Sequence, residues 1–130
     1  MEDSEFESLV RNAIKEIPKD FLEKIKNVEI LIEDNPTPEQ YEKLFKRGER
    51  GLLLGLYEGT PLTKRKYYGI GGNLPDKITI FRIPILSIAQ SASEIAYIVE
   101  DTVIHEVAHH FGIDDTTIHA LKKKNSKRSA

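Results

Sequence analysis

The segment SASEIAYIVEDTVIHEVAHHFGIDD, residues 91–115, constrains this chain more than any other. Ser91 and Glu94 have the spacing of a capping box. Ile95, Ile98, Val99, Thr102 and Val103 then recur at helical spacing, which predicts a helix over about 93–111 with one broad apolar face. Gly112 stands where that helix has to end, because a residue without Cβ reverses a chain at little cost. The remaining elements must supply a surface that buries this face.

Upstream, the periodicity predicts a helix over residues 4–17, opened by a Ser4–Glu7 capping box and carrying Phe6, Leu9, Val10, Ala13, Ile14 and Ile17. Pro18 begins a second short turn with Phe21, Leu22 and Ile25 inward. Residues 27–34 alternate Val28, Ile30, Ile32 against Glu29 and Glu33 and read as a strand with one wet face. Thr37 as N-cap, Pro38 at the first helical position and Gln40 closing the box predict a helix that stops near Gly48. Residues 51–59 read as a second strand, with Gly55 marking a bulge or a close backbone approach. Residues 76–83 read as a third, ended by Pro84, and a last short helix is expected over about 114–124. The order α-α-β-α-β-β-α-α, without repeats or linkers, predicts one α+β domain over residues 1–121 with a small mixed sheet packed against helices.

The end of the 93–111 helix carries groups foreign to an apolar face. His105, Glu106 and His109 form H-E-x-x-H. At about 100° per residue the two histidines lie about 40° apart and one turn from each other, so both imidazoles can reach one ion. Glu106, about 100° from His105, can overhang that ion's open position without ligating it. The chemistry needs this arrangement, since zinc lowers the pKa of a bound water to about 7 and a nearby carboxylate can take its proton. Asp115 follows Gly112 by three residues, and a chain reversing at Gly112 can return it towards the metal. Shuffling this composition would give the whole string only about once in ten thousand times. Because no glutamate follows Glu106, only His110, Asp114, Asp115 and His119 remain as downstream ligands. Asp115 is favoured by spacing, and His119 is the rival. His110 is about 100° from His109 and points elsewhere.

The string H-E-x-x-H-x-x-G-x-x-D resembles the signature of the small bacterial zincin-like metallopeptidases, or mini-zincins. The resemblance also takes in LLLGLYEGTPLTKR and LPDKITIFRIPI and covers roughly residues 25–121. It implies a compact zincin core with the motif helix beneath the sheet. It also implies one Zn²⁺ on His105, His109 and Asp115, with Glu106 as general base, and a peptide or protein substrate held extended along a sheet edge. The only methionine is Met1, so the methionine turn of metzincins is missing.

Composition narrows the alternatives. With no cysteine there is no disulfide, thiolate zinc site or cysteine nucleophile, which fits a cytoplasmic protein. No apolar run approaches the roughly 20 residues needed to span a bilayer. The net charge is −2, but residues 122–130, KKKNSKRSA, hold five basic residues, leaving −7 on residues 1–121. That is an acidic body with a basic, disordered tail, unlike a nucleic-acid-binding domain. GIGG at 69–72 lacks the ending of a phosphate loop and reads as a turn. Tyr67, Tyr68 and Arg82 are candidates for oxyanion or substrate contacts, set against a plain solvated loop for the KRKYY stretch. Two functional readings follow. One is a zinc-dependent metallopeptidase that hydrolyses peptide bonds with Glu106 as base. The other is a zinc-binding interaction module with little or no peptidase activity.

Overall fold

The computed structural model describes residues 1–59 and 75–113. Helix α1 runs Asp3–Lys15, α2 Lys19–Lys24, β1 Val28–Glu33, α3 Pro38–Lys46, β2 Gly55–Glu58, β3 Asp76–Phe81, α4 Arg82–Ile88 and α5 Ala92–Phe111. The architecture is α+β, with five helices around a small mixed sheet among the described residues. The strand order is β1-β3-β2. β1 lies parallel to β3, with Val28 opposite Asp76 and Glu33 opposite Phe81. β2 lies antiparallel to β3, with Gly55 opposite Ile80 and Glu58 opposite Lys77.

Being central, β3 is covered on both faces, so its last four residues, Ile78 to Phe81, are all buried, Thr79 included, rather than alternating in and out. Ile78 and Ile80 join the main core with Phe6, Val10 and Phe21 of α1 and α2 and with Val99, Val103, Ile104 and Val107 of α5. Phe81 points the other way, into a smaller cluster with Leu44 of α3, Leu53 and Leu56. Thus α1 and α5 cover one face of the sheet and α3 the other. β1 alternates more weakly, with Glu29 and Glu33 exposed.

Local chemistry fixes α3 at both ends. The Thr37 hydroxyl accepts from the Gln40 N–H at 3.2 Å, and the Gln40 side chain accepts from the Thr37 N–H at 2.8 Å. Gly48 adopts φ +77°, the Gly48 N–H reaches Phe45 O at 2.9 Å and the Glu49 N–H reaches Leu44 O at 3.2 Å, a Schellman ending. The motif helix α5 closes in the same way. Gly112 is at φ +68° and the Ile113 N–H reaches Ala108 O at 2.8 Å. At its start the Ser91 hydroxyl accepts from the Glu94 N–H at 3.2 Å, but the Glu94 carboxylate accepts from the Gln90 N–H, one residue earlier than a reciprocal box requires.

Three sequence readings are corrected. α1 begins at Asp3 after Glu2, with no side-chain cap. The Phe6 N–H bonds Glu2 O at 3.1 Å, which puts Ser4 inside the first turn. The second strand occupies only 55–58 of the expected 51–59. The third strand ends at Phe81, and Arg82–Ile88 is a helix. Pro84 sits in the first turn of that helix, where its missing N–H costs nothing, so it opens a helix and does not merely end a strand. The helix expected over 114–124 and the tail 122–130 lie outside the described residues, so the matching element order arises from a different set of helices.

Candidate metal centre

The motif helix approaches the sheet closely, and Gly55 permits it. A Cβ built at Gly55 would stand 2.6 Å from Thr102 Cγ2 on α5 and 3.1 Å from Thr79 O. Of the two expectations for Gly55, the close approach is the one realised. One turn further along α5 the helix faces β2 at Tyr57. Phe81 N–H donates to Leu54 O at 2.9 Å, so even-numbered residues of β2 turn their backbone groups to β3 and odd-numbered ones turn theirs away from it. Tyr57 N–H accordingly points away from the sheet and donates to Glu106 Oε1 at 2.9 Å.

Glu106 is therefore buried, with 7% of its surface exposed. A buried carboxylate needs compensation, because its transfer from water is costly unless it is paired and hydrogen-bonded. Arg47, at the C-terminal end of α3, supplies it. Its Nη1 donates to Oε1 at 3.2 Å and its Nη2 to Oε2 at 3.1 Å. Nη2 also donates to Glu49 Oε2 at 2.9 Å. The Glu106 hydrogen bond, opposed by partial burial and aided by the charges of both glutamates, holds the Arg47 guanidinium above its ordinary pKa.

The two motif histidines are more open, their side chains 44% and 56% exposed for His105 and His109. His105 Nδ1 lies 2.8 Å from Asp101 O, one turn back on the same helix, and 3.5 Å from Asp101 Oδ1. With Nδ1 donating to that carbonyl, the lone pair is on Nε2 and is free to ligate. His109 Nε2 lies 3.4 Å from Glu49 Oε1. His110 turns away from this pair. Its ring stacks on Tyr57 with centroids 4.0 Å apart, and its Nε2 is 3.9 Å from Asp76 Oδ2, which also accepts from the Tyr57 hydroxyl at 2.7 Å. This stack ties the end of α5 to β2 and β3.

His105 and His109 thus offer two accessible imidazoles on one helix face, donors of the kind zinc takes. Among the described residues no three His, Asp or Glu side chains converge to hold one. Asp115, the third ligand expected, lies outside the described residues, as do Asp114, His119, Tyr67 and Tyr68. Arg82 lies in α4. Its Nε is 2.9 Å from Asp34 Oδ1 and 3.4 Å from Asp3 Oδ1, and it lines a cavity of about 750 Å³ between α1 and β1. That cavity is at the opposite edge of the sheet from Glu106. The Asp34 hydrogen bond holds the Arg82 guanidinium above its ordinary pKa.

Sequence reasoning missed Arg47 and Glu49. No periodicity or spacing rule links Arg47 to a glutamate 59 positions away, and a charge at the end of an exposed helix normally reads as solvated.

Residues 25–125 match the family described as zincin-like metallopeptidase. That span is well over half of the chain. The chain belongs to the zincin-like metallopeptidase family. Membership implies zinc and a peptide or protein substrate in general terms. A solved structure of a conserved hypothetical protein from T. thermophilus is also similar, with 26% identity and a TM-score of 0.51 over 82% of this chain and 91% of that one. No curated protein matches the zincin-like chain. Among the described residues, no helix is long and apolar enough to cross a membrane.

Proposed function

We propose that this zincin-like protein is a zinc-dependent peptidase with its centre at the C-terminal end of α5. His105, His109 and Asp115 would hold one zinc ion, and Glu106 would act as general base. When bound there, zinc supplies a Lewis acid for the scissile carbonyl and renders an attacking water acidic near neutral pH. Glu106 takes the proton of that water and returns it to the leaving amine. The burial of Glu106 between the sheet edge and the helix keeps competing solvent off its carboxylate. An extended peptide would lie along β2, an edge strand among the described residues.

The observation that carries this reading is the contrast within one helical turn. His105 and His109 are open to solvent, while the intervening Glu106 is buried and fixed by a backbone N–H and a guanidinium. A helix that needed only a soluble end would not bury its charge there.

The test is turnover of a mixed peptide library by the zinc-loaded protein, followed by mass spectrometry. Cleavage is expected in the wild type. It should be abolished by a chelator, restored by zinc and lost in Glu106→Gln. Equal turnover in wild type and Glu106→Gln would refute the assignment. Tight zinc binding with no cleavage in either protein would instead favour a zinc-binding interaction module.

A further inference from the structure

Arg47 connects the two carboxylates of the site, and its own position is set locally. The Schellman turn at Gly48 ends α3 and leaves Arg47 at its C-cap, facing the motif helix. Nη1 and Nη2 reach Oε1 and Oε2 of Glu106, while Nη2 also holds Glu49, whose other oxygen is 3.4 Å from His109 Nε2.

A carboxylate offers about two lone-pair directions on each oxygen. Both directions on Oε1 are taken, one by the Tyr57 N–H and one by Arg47 Nη1. On Oε2, Arg47 Nη2 takes one. The two oxygens of Glu106 are therefore not equivalent.

Stability alone is a poor reason for this pair. Replacing a buried ion pair by well-packed apolar groups is often neutral or favourable. Orientation is a better reason. A guanidinium fork fixes the plane of the carboxylate it grips, whereas a lysine ammonium would match the charge without fixing the plane.

We propose that Arg47 is a positioning residue for the base: with the Tyr57 N–H it saturates Glu106 Oε1 and fixes the carboxylate plane, leaving Oε2 as the oxygen that accepts the proton. The catalytic half of this statement rests on Glu106 being the general base. The orientational half does not.

The experiment uses the full chain, ¹⁵N-labelled, as wild type, Arg47→Ala, Arg47→Lys, Glu106→Ala and the Arg47→Ala/Glu106→Ala double variant. The reporter is the Tyr57 amide. In Arg47→Ala its resonance should move towards the position found in Glu106→Ala and lose protection from hydrogen exchange. The double variant should move no further than Glu106→Ala, and Arg47→Lys should fall between wild type and Arg47→Ala. A Tyr57 amide with wild-type shift and protection in both Arg47 variants overturns the proposal, since Arg47 would then only end α3 and pair with Glu49. Having two Arg47 variants guards against a failure of Arg47→Ala to fold. With zinc and a cleaved peptide, Arg47→Ala should lower kcat about a hundredfold, as misplacement of a catalytic group does, with little change in KM or zinc affinity. A kcat at the wild-type level in Arg47→Ala overturns it equally. If the wild type cleaves nothing, the reading of Glu106 as base fails, and the Tyr57 amide still decides whether Arg47 orients it.

Discussion

Two carboxylates at β2 are both held by side chains from α3. Glu58, on the strand itself, is gripped by Lys43 and by the Gln40 amide at 3.2 Å, with Lys77 4.0 Å away. Glu106, from the motif helix, is gripped by Arg47, one turn of α3 beyond Lys43. Both carboxylates are largely covered, at 14% and 8% side-chain exposure. Their partners differ. The cations on Glu58 are exposed, flexible ammonium groups, and that network is a stabilising surface feature of ordinary kind. Glu106 has a planar fork and a strand N–H, which fix its orientation as well as its charge. The same helix thus supplies one interaction that any cation could replace and one that depends on geometry.

The largest expected difference is in turnover. Glu106→Gln should reduce peptide hydrolysis by about 10²–10⁴-fold, the usual contribution of a general base, while Glu58→Gln should leave it within about twofold. Comparable losses in a side-by-side assay would erase the distinction. Next in size is the spacing that lets Glu106 reach the strand. Gly55→Ala pushes a Cβ against Thr102 Cγ2 and should cost about 1–3 kcal/mol in urea unfolding, the range for an overpacked site. Adding Thr102→Ser removes the clashing methyl and should recover most of that loss. Independent, additive effects would mean that the helix does not rest on Gly55.

The smallest effect concerns Glu58. Burial works to raise its pKa, but the hydrogen bonds from Lys43 and Gln40 and the charges of Lys43 and Lys77 together hold it below the ordinary 4.5. A carboxylate with a lowered folded-state pKa contributes stability that is complete above 4.5 and is lost as pH falls through the folded value. Glu58→Gln should therefore cost no more than about 1 kcal/mol at neutral pH. The gap from wild type should close as the solution is acidified below 4.5. A gap that persists in acid would assign the loss to packing instead.

The sequence exposed what is local. Thr37, Pro38, Gln40 and Gly48 delimit α3 by chemistry contained within a short stretch of chain, and each behaves as expected. Gly112 ends the motif helix for the same reason. Local signals fail where an apolar run contains a proline. Arg82 and Ile83 read as the end of a strand because Pro84 cannot pair in a ladder, yet a proline in a first helical turn is equally at ease. At the site, the histidine spacing and the glutamate between them were legible because helix geometry is periodic. Arg47 was not, because its meeting with Glu106 is a product of tertiary packing. The three-dimensional fate of Asp115, Tyr67 and Tyr68 lies outside the described residues.

The central claim is that α5 holds a metal through its two histidines. Chelator competition for zinc on wild type, His109→Ala and Glu106→Gln measures this directly. One tightly held zinc is predicted in wild type and in Glu106→Gln, with at least about a hundredfold weaker binding in His109→Ala, which removes a ligand outright. A wild type that retains no zinc, or a His109→Ala variant that binds it as tightly as wild type does, would contradict the claim.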